Sequence, residues 1–221
     1  MNKFSQTFRK TAPWVLGLAA VLAAGSSQLA SAAAANDKLP VLKIYTADGT
    51  VAPNLFYLGT PANWASVIPQ NGKAAMNVGS INVEPTQIEG KAGLTVTWTG
   101  GNGQIYSQAK SASDQLDYID ANAAMVFDAV VHTPPEDQVT TRIDCRYPCM
   151  GIIDTTEMFR KAPVGKPIVV KIPLSCFETN GTKFSAVNTP WLLFTTKKFS
   201  LSVADIRWVP GAGKDADALK C

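Results

Sequence analysis

Three residues separate Cys145 from Cys149 in "TRIDCRYPCMG" (141–151), and Cys176 and Cys221 complete a set of four. Thiols at such a spacing serve as metal ligands, a redox centre, reactive nucleophiles or a structural clip. Four cysteines allow three complete pairings, and spacing alone does not choose among them. Zinc is disfavoured, because C-x3-C occurs here without a second matching pair. The chain has one histidine, His132, just ahead of Pro134-Pro135, and no G-x-S-x-G, so a Ser-His-Asp centre has little to build on. "GGNGQ" (100–104) lies between β-prone runs and reads as a turn rather than a phosphate loop. Paired carboxylates, the equipment of a glycosidase, are harder to dismiss: Asp128, Asp144, Asp154, Glu157 and Asp205 are all present.

Aromatic residues point elsewhere. Trp64, Trp98, Tyr106, Tyr147, Trp191 and Trp208 lie on or beside the β-prone runs. An aromatic ring offers an apolar face on which a sugar ring stacks, while neighbouring amides meet the hydroxyls. The candidates are Trp64, Trp98, Tyr106 and Tyr147, with Asn102 and Gln104 as polar partners. Each Trp on an alternating strand has core packing as its competing role. Trp64 in "PANWAS" and Tyr147 in "CRYPC" occupy loop-like segments, which favours their exposure. Asp205 in "SVADIRW" is a charge inside a β-prone run. It reads either as an oxygen ligand for calcium or as an ion-pair partner of Arg207 or Arg142. No other cofactor is implied.

These residues need a scaffold, and the pattern is one of short strands. "VLKIYTA" (41–47), "NLFYLG" (54–59), "SINVEPTQI" (80–88), "GLTVTWTG" (93–100) and "GQIYSQA" (103–109) are each bounded by turn residues. "AAMVFDAVVH" (123–132), "QVTTRIDC" (138–145), "KPIVVKIPL" (166–174), "WLLFTT" (191–196) and "KFSLSVADIRWV" (198–209) follow. Leu94, Val96 and Trp98 alternate with Thr95, Thr97 and Thr99, so the two sets face opposite ways. The runs at 93–100 and 103–109 read as a hairpin. Those at 123–132 and 138–145 either pair across a longer loop or cross between sheets. One helix is expected over 154–162, with Asp154 accepting from a free N–H of its first turn, Glu157 completing a capping box and Pro163 ending it. Many short strands and little helix give an all-β class, an antiparallel β-sandwich or jelly roll, with a barrel as the alternative.

Residues 1–32 read as a signal peptide. Lys3, Arg9 and Lys10 precede the short apolar run "TAPWVLGLAAVLAAG", and Ala30-Ser31-Ala32 supplies a cleavage site. The chain of 221 residues carries a formal charge of +3. The three basic residues of the leader account for all of that excess, so residues 33–221 balance, and nothing marks a nucleic-acid binder. Residues 33–209 make one domain, the polar stretch 210–221 a flexible tail, and no membrane span is expected after cleavage. The expected location is outside the cytoplasm, in the periplasm or the medium, where disulfides persist.

"VAPNLFYLG…NW" (51–64), "LTVTWTGGNGQIYSQ" (94–108), "AMVFDAVVHTPP" (124–135), "RIDCRYPCMGIIDTTEMFR" (142–160), "KIPLSCF" (171–177) and "VNTPWLLFTTKKFSLSVADIRWV" (187–209) occur in this order. Together they resemble the C-terminal ExoP-type domain of bacterial family-three glycoside hydrolases, exo-β-glucanases and β-glucosidases. The resemblance implies a galactose-binding-like sandwich in a β-glucan context. The family's catalytic residues lie in other domains, so none is carried over and no enzyme is implied. The expected function is that of a free-standing carbohydrate-binding module. A protein–protein accessory of a glycoside hydrolase or envelope partner is the alternative, and a glycosidase in its own right the third reading. In an exported sandwich, Cys145–Cys149 becomes a clip around Tyr147. Cys176 is then left to pair with Cys221 or to stay a buried thiol.

Overall fold

The structure, a computed structural model, describes residues 39–70, 72–76 and 80–221. The expected signal peptide over 1–32 lies outside the described residues.

Runs rich in Val, Ile, Thr and aromatic residues form strands because branched and ring side chains suit a pleated surface, and Gly, Pro, Asn or Asp cut each run short. In chain order, β1 (Leu42–Thr46) and β2 (Gly49–Thr50) join a first sheet, and β3 (Asn54–Thr60) and β4 (Asn63–Val67) a second. The chain returns to the first sheet with β5 (Ala74–Ala75), β6 (Ile81–Ile88) and β7 (Lys91–Trp98), then enters the second with β8 (Gly103–Ala109). β9 (Ala124–Thr133) lies in the first, β10 (Val139–Asp144) and β11 (Met150–Asp154) in the second. β12 (Pro167–Pro173) is in the first, β13 (Thr189–Thr195) in the second and β14 (Phe199–Val209) in the first. The second sheet runs β11-β10-β13-β8-β3-β4, the first β12-β9-β14-β7-β6-β5 with β1 also on β14. All of these pairings are antiparallel. A chain that keeps changing sheets produces a β-sandwich, the expected class.

The inner faces close on aromatic residues. Trp191 of β13 meets Phe56 of β3 at 5.8 Å and, across the layers, Phe127 of β9 at 6.0 Å. Trp98 stacks on Phe199 at 5.5 Å, and Trp208 touches both Tyr118 and Phe184. Each fully buried ring of this size contributes about 1.5–3 kcal/mol relative to exposure. On β7 the expected alternation holds: Leu94, Val96 and Trp98 are buried. Thr95 and Thr97 on the other face bond Ser202 and Ser200 of β14 at 2.7 and 3.1 Å.

Several expectations are corrected. β7 and β8 are not a hairpin: they lie in different sheets. Gly100 and Gly101 at φ +130° and +82° let the chain cross, and the Trp98 indole N–H donates to the Gly103 carbonyl at 2.9 Å beneath the crossing. Of the two options for 123–132 and 138–145, the crossing between sheets is the one adopted. The parity of β14 breaks at Asp205, whose φ of +50° marks a bulge. Beyond it Ile206 and Trp208 turn inward, to the same side as Leu201 and Val203. The expected helix is α2 (Thr156–Lys161); α1 (Leu116–Asp120) and α3 (Leu174–Thr179) were not anticipated, being too short to show a period. Asp154 accepts from the Thr156 N–H at 2.9 Å as expected, but Glu157 pairs with Arg160 and Lys161 instead of completing a capping box.

The C-terminal stretch 210–221 is tied down rather than loose. Lys171 of β12 reaches Asp215 at 2.7 Å and Asp217 at 2.9 Å, and the Leu219 N–H donates to the Lys171 carbonyl. Cys221 is joined to Cys176 on α3, and Cys145 to Cys149, with Cα separations of 5.8 and 5.0 Å. The two links close loops of very different length, 45 against 4 residues of separation. In the loop-entropy account their contributions are about 4 and about 2 kcal/mol. Urea unfolding of the C176A/C221A and C145A/C149A variants is therefore expected to show the larger loss for the first. A larger loss for the second would contradict this assignment.

Candidate functional site

The outward face of the second sheet carries a hollow of about 590 Å³, within the usual range for a ligand site. Period-two alternation decides what lines it. On β8, Ile105 and Ser107 point into the core, so Gln104, Tyr106 and Gln108 face out. On β13, Trp191 and Leu193 point in, and Leu192 and Phe194 face out. On β10 the outward pair is Arg142 and Asp144. Leu192 and Phe194 give the floor an apolar centre, flanked by amide, guanidinium and carboxylate groups.

Trp64 stands at one side of the hollow and Tyr147 at the other. β4 is the edge strand that carries Trp64, and its pairing with β3 slips between Leu58 and Thr60. The slip folds the hairpin over the sheet, where the Tyr106 hydroxyl donates to the Trp64 carbonyl at 2.7 Å. Gly59 makes the approach possible: a Cβ there would come within 2.8 Å of the same carbonyl and of the Gln104 side chain. The Trp64 side chain is left 44% exposed. Tyr147 sits at the tip of the Cys145–Cys149 loop and is 84% exposed. That loop is braced by the Cys145 N–H donating to the Cys149 carbonyl at 2.8 Å and the Arg146 N–H donating to Asn188 Oδ1 at 2.9 Å.

The polar groups are held in place. The Arg142 guanidinium lies 4.6 Å from the centre of the Phe194 ring, and its Nε donates to Thr140 Oγ1 at 3.1 Å. Gln108 donates to Thr189 Oγ1 at 3.2 Å. Tyr106 stacks on Tyr57 at 5.1 Å, and burial pushes its phenol up to about 12, so it remains a donor at any ordinary pH. Asp144 is the unusual group. Its Oδ1 is buried with no hydrogen-bond partner, and burial raises its carboxyl to about 6 despite the opposing pull of Arg142.

Of the residues singled out in the sequence, Trp64, Gln104, Tyr106 and Tyr147 come together here. Trp98 does not: at 1% exposure it is core, as its alternation with Thr95 and Thr97 required. Asn102 is exposed on the crossing turn, outside the lining of the hollow. Sequence reasoning missed Gln108, Arg142, Leu192 and Phe194 as site residues and singled out Asp144 only as a candidate catalytic carboxylate, not as part of a binding face. Their signal was parity, the same two-residue step that links Gln104 to Tyr106.

The paired-carboxylate reading is left with one candidate in the hollow. Asp144 lines it, whereas Asp128 and Asp205 lie on the first sheet, both ion-paired with Lys91, at 2.6 and 3.6 Å. Asp154 and Glu157 are engaged around α2. His132 shares a 2.7 Å hydrogen bond with Ser202, a hydroxyl that is itself buried and also bonded to Thr95. Asp205, the weak calcium candidate, is gripped by Arg207 at 2.7 Å as well as by Lys91. Two cations at one carboxylate do not fit a calcium ion. Among the described residues no group of three His, Cys, Asp or Glu side chains could hold a metal.

A family model described as galactose-binding domain-like (Exop_C) matches residues 53–208. The chain belongs to this family. Among solved structures it is similar to the exo-1,3/1,4-beta-glucanase ExoP from a Pseudoalteromonas species, with a TM-score of 0.69 and 11% identity. That match covers 82% of this chain and only 22% of the glucanase. The extra C-terminal domain of the same glucanase, solved alone, gives 0.65 at 14% identity, covering 81% of this chain and 98% of that one. The family 30 carbohydrate-binding module of a cellulosomal cellulase of Clostridium thermocellum gives 0.55 at 16% identity, covering 78% and 99%. At these identities the likeness is one of fold, and it makes the sandwich a galactose-binding-like one. No curated protein matches the chain. Among the described residues no helix is long and apolar enough to cross a membrane.

The Asp144 carboxyl yields a test of this geometry. A raised acid favours the neutral form in the fold, so ionising it costs stability that is absent below the unfolded value near 4 and complete above about 6. Asp144→Asn is therefore expected to stabilise the protein by about 2 kcal/mol at pH 7–8, with the advantage vanishing below pH 4. Urea midpoints across that range measure it. Parallel curves for the two proteins would show that Asp144 is not buried as described.

Proposed function

We propose that this chain is an exported, non-catalytic carbohydrate-binding module whose ligand, a β-glucan-type glycan, lies in the hollow on the second sheet. The observation that carries the reading is the pairing of Trp64 and Tyr147, two exposed rings on opposite sides of a depression with an apolar centre and polar flanks. Sugar rings have apolar C–H faces and a girdle of hydroxyls. The exposed rings take the faces, and the amides of Gln104 and Gln108, the guanidinium of Arg142 and the carboxylate of Asp144 take the hydroxyls. No bond is made or broken. The glycan class is supported by the folds that resemble this one, a glucanase domain and a cellulase module.

Export is supported by the two disulfides and by the leader-like composition of residues 1–32. A second reading, packing against a glycoside hydrolase, draws on the similar domain of ExoP being part of a larger enzyme.

Calorimetry against β-1,3-, β-1,4- and mixed-linkage glucans tests the proposal. Trp64→Ala and Tyr147→Ala are each expected to weaken binding by about 2 kcal/mol, roughly 30-fold. The unfolding midpoint is expected to hold, because both rings are exposed. Absence of binding by the folded parent protein to every glucan would overturn the proposal.

A further inference from the structure

A second depression, of about 370 Å³, adjoins the first on the same sheet face. Leu55 and Tyr57 of β3 line it, with Lys110 just past the end of β8 and Asn188 just ahead of β13. The two hollows share Gln108. They are also joined by the stacked pair of Tyr57, which lines the second, and Tyr106, which lines the first. Register accounts for this: Leu55 lies opposite Gln108 and Tyr57 opposite Tyr106, so the outward residues of β3 extend the outward rows of β8.

Resting on the carbohydrate reading above, we propose that this second depression is a further sugar subsite, which takes the next residues of the same glycan chain. Leu55 is 50% exposed, a large apolar side chain on the same strand face as Tyr57, two residues away. Together they supply a small apolar platform for the C–H face of a pyranose. Around it stand groups suited to hydroxyls. Lys110 is exposed and enters no ion pair among the described residues. Asn188 braces the Tyr147 loop through its Oδ1, which leaves its amide N–H groups for other partners. Gln108 holds Thr189 with one N–H and, as a primary amide, has further hydrogen-bonding capacity on the boundary between the hollows. Asn188 also ties the subsites together, because the residue that lines the second depression fixes the backbone beneath Tyr147 at the rim of the first.

The occupant is a continuation of the bound chain rather than a separate molecule, because the floor passes from one hollow to the other through Gln108 without an intervening strand. The prediction concerns chain length. Calorimetry with a ladder of mixed-linkage β-glucan oligosaccharides is expected to show a second rise in affinity, of roughly tenfold, once the chain outgrows the first hollow. Leu55→Ala combined with Lys110→Ala is expected to remove that rise and to leave the affinity for the shortest binding oligosaccharide unchanged. A plateau at the shortest binding length overturns the subsite while the first hollow stands. So does a rise that persists in the double variant. Failure of every oligosaccharide to bind the folded parent protein overturns both the subsite and the carbohydrate reading on which it rests.

Discussion

Trp191 holds the arrangement together. Its indole is fully buried between Phe56 of its own sheet and Phe127 of the other. In a strand the neighbours of an inward residue must point outward. Fixing Trp191 and Leu193 in the core therefore fixes Leu192 and Phe194 on the opposite face of the sheet, and cross-strand register carries the constraint to Tyr106 and Arg142, which both lie opposite Leu192. The binding face is the obverse of the core. A substitution that shifted β13 by one residue would exchange the two.

Irregularities then turn a flat sheet face into a depression. The slip between β3 and β4 folds Trp64 over one side, and the Cys145–Cys149 clip raises Tyr147 on the other. A third irregularity, the bulge at Asp205, keeps charge out of the core. The side chain that regular alternation would have sent inward sits beside Lys91 and Arg207, and Ile206 and Trp208 take the inward places. The short clip offers little entropy but a large effect on where one aromatic ring stands. The long link to Cys221 does the opposite, fastening the chain end to α3.

Much of this was legible in the sequence, for a physical reason. Strands such as 93–98 and 103–109 bury one face, so their alternation is written in the residue types. The two edge strands were not legible. In "NWASV" (63–67) all residues are at least partly exposed, and "MGIID" (150–154) is short and contains glycine. The first has no buried face and the second buries only Gly151 and Ile153, too few to mark a strand, yet one carries Trp64 and the other borders Tyr147. Partnering between strands was hidden too: a glycine-rich connection of the kind at 100–103 suits a hairpin and a sheet-to-sheet crossing alike, and the outcome lies in pairing with distant strands, β7 with β6 and β14, β8 with β3 and β13. For the site, Gln104 and Tyr106 were found but the same parity was not followed to Gln108, nor along β10 to Arg142 and Asp144. Trp98 was admitted although its own alternation placed it inside. Convergence of residues from five strands depends on long-range register, which no local pattern carries.

The central claim is that one face of one sheet binds a glycan chain. The most direct measurement is a map of backbone and indole N–H resonances during titration of the labelled protein with a mixed-linkage β-glucan oligosaccharide. The account predicts shifts at Trp64, Gln104, Tyr106, Gln108, Arg142, Asp144 and Tyr147, with Thr95, His132 and Ser202 on the far sheet unmoved. Shifts confined to that far sheet, or none at saturating oligosaccharide, would contradict it.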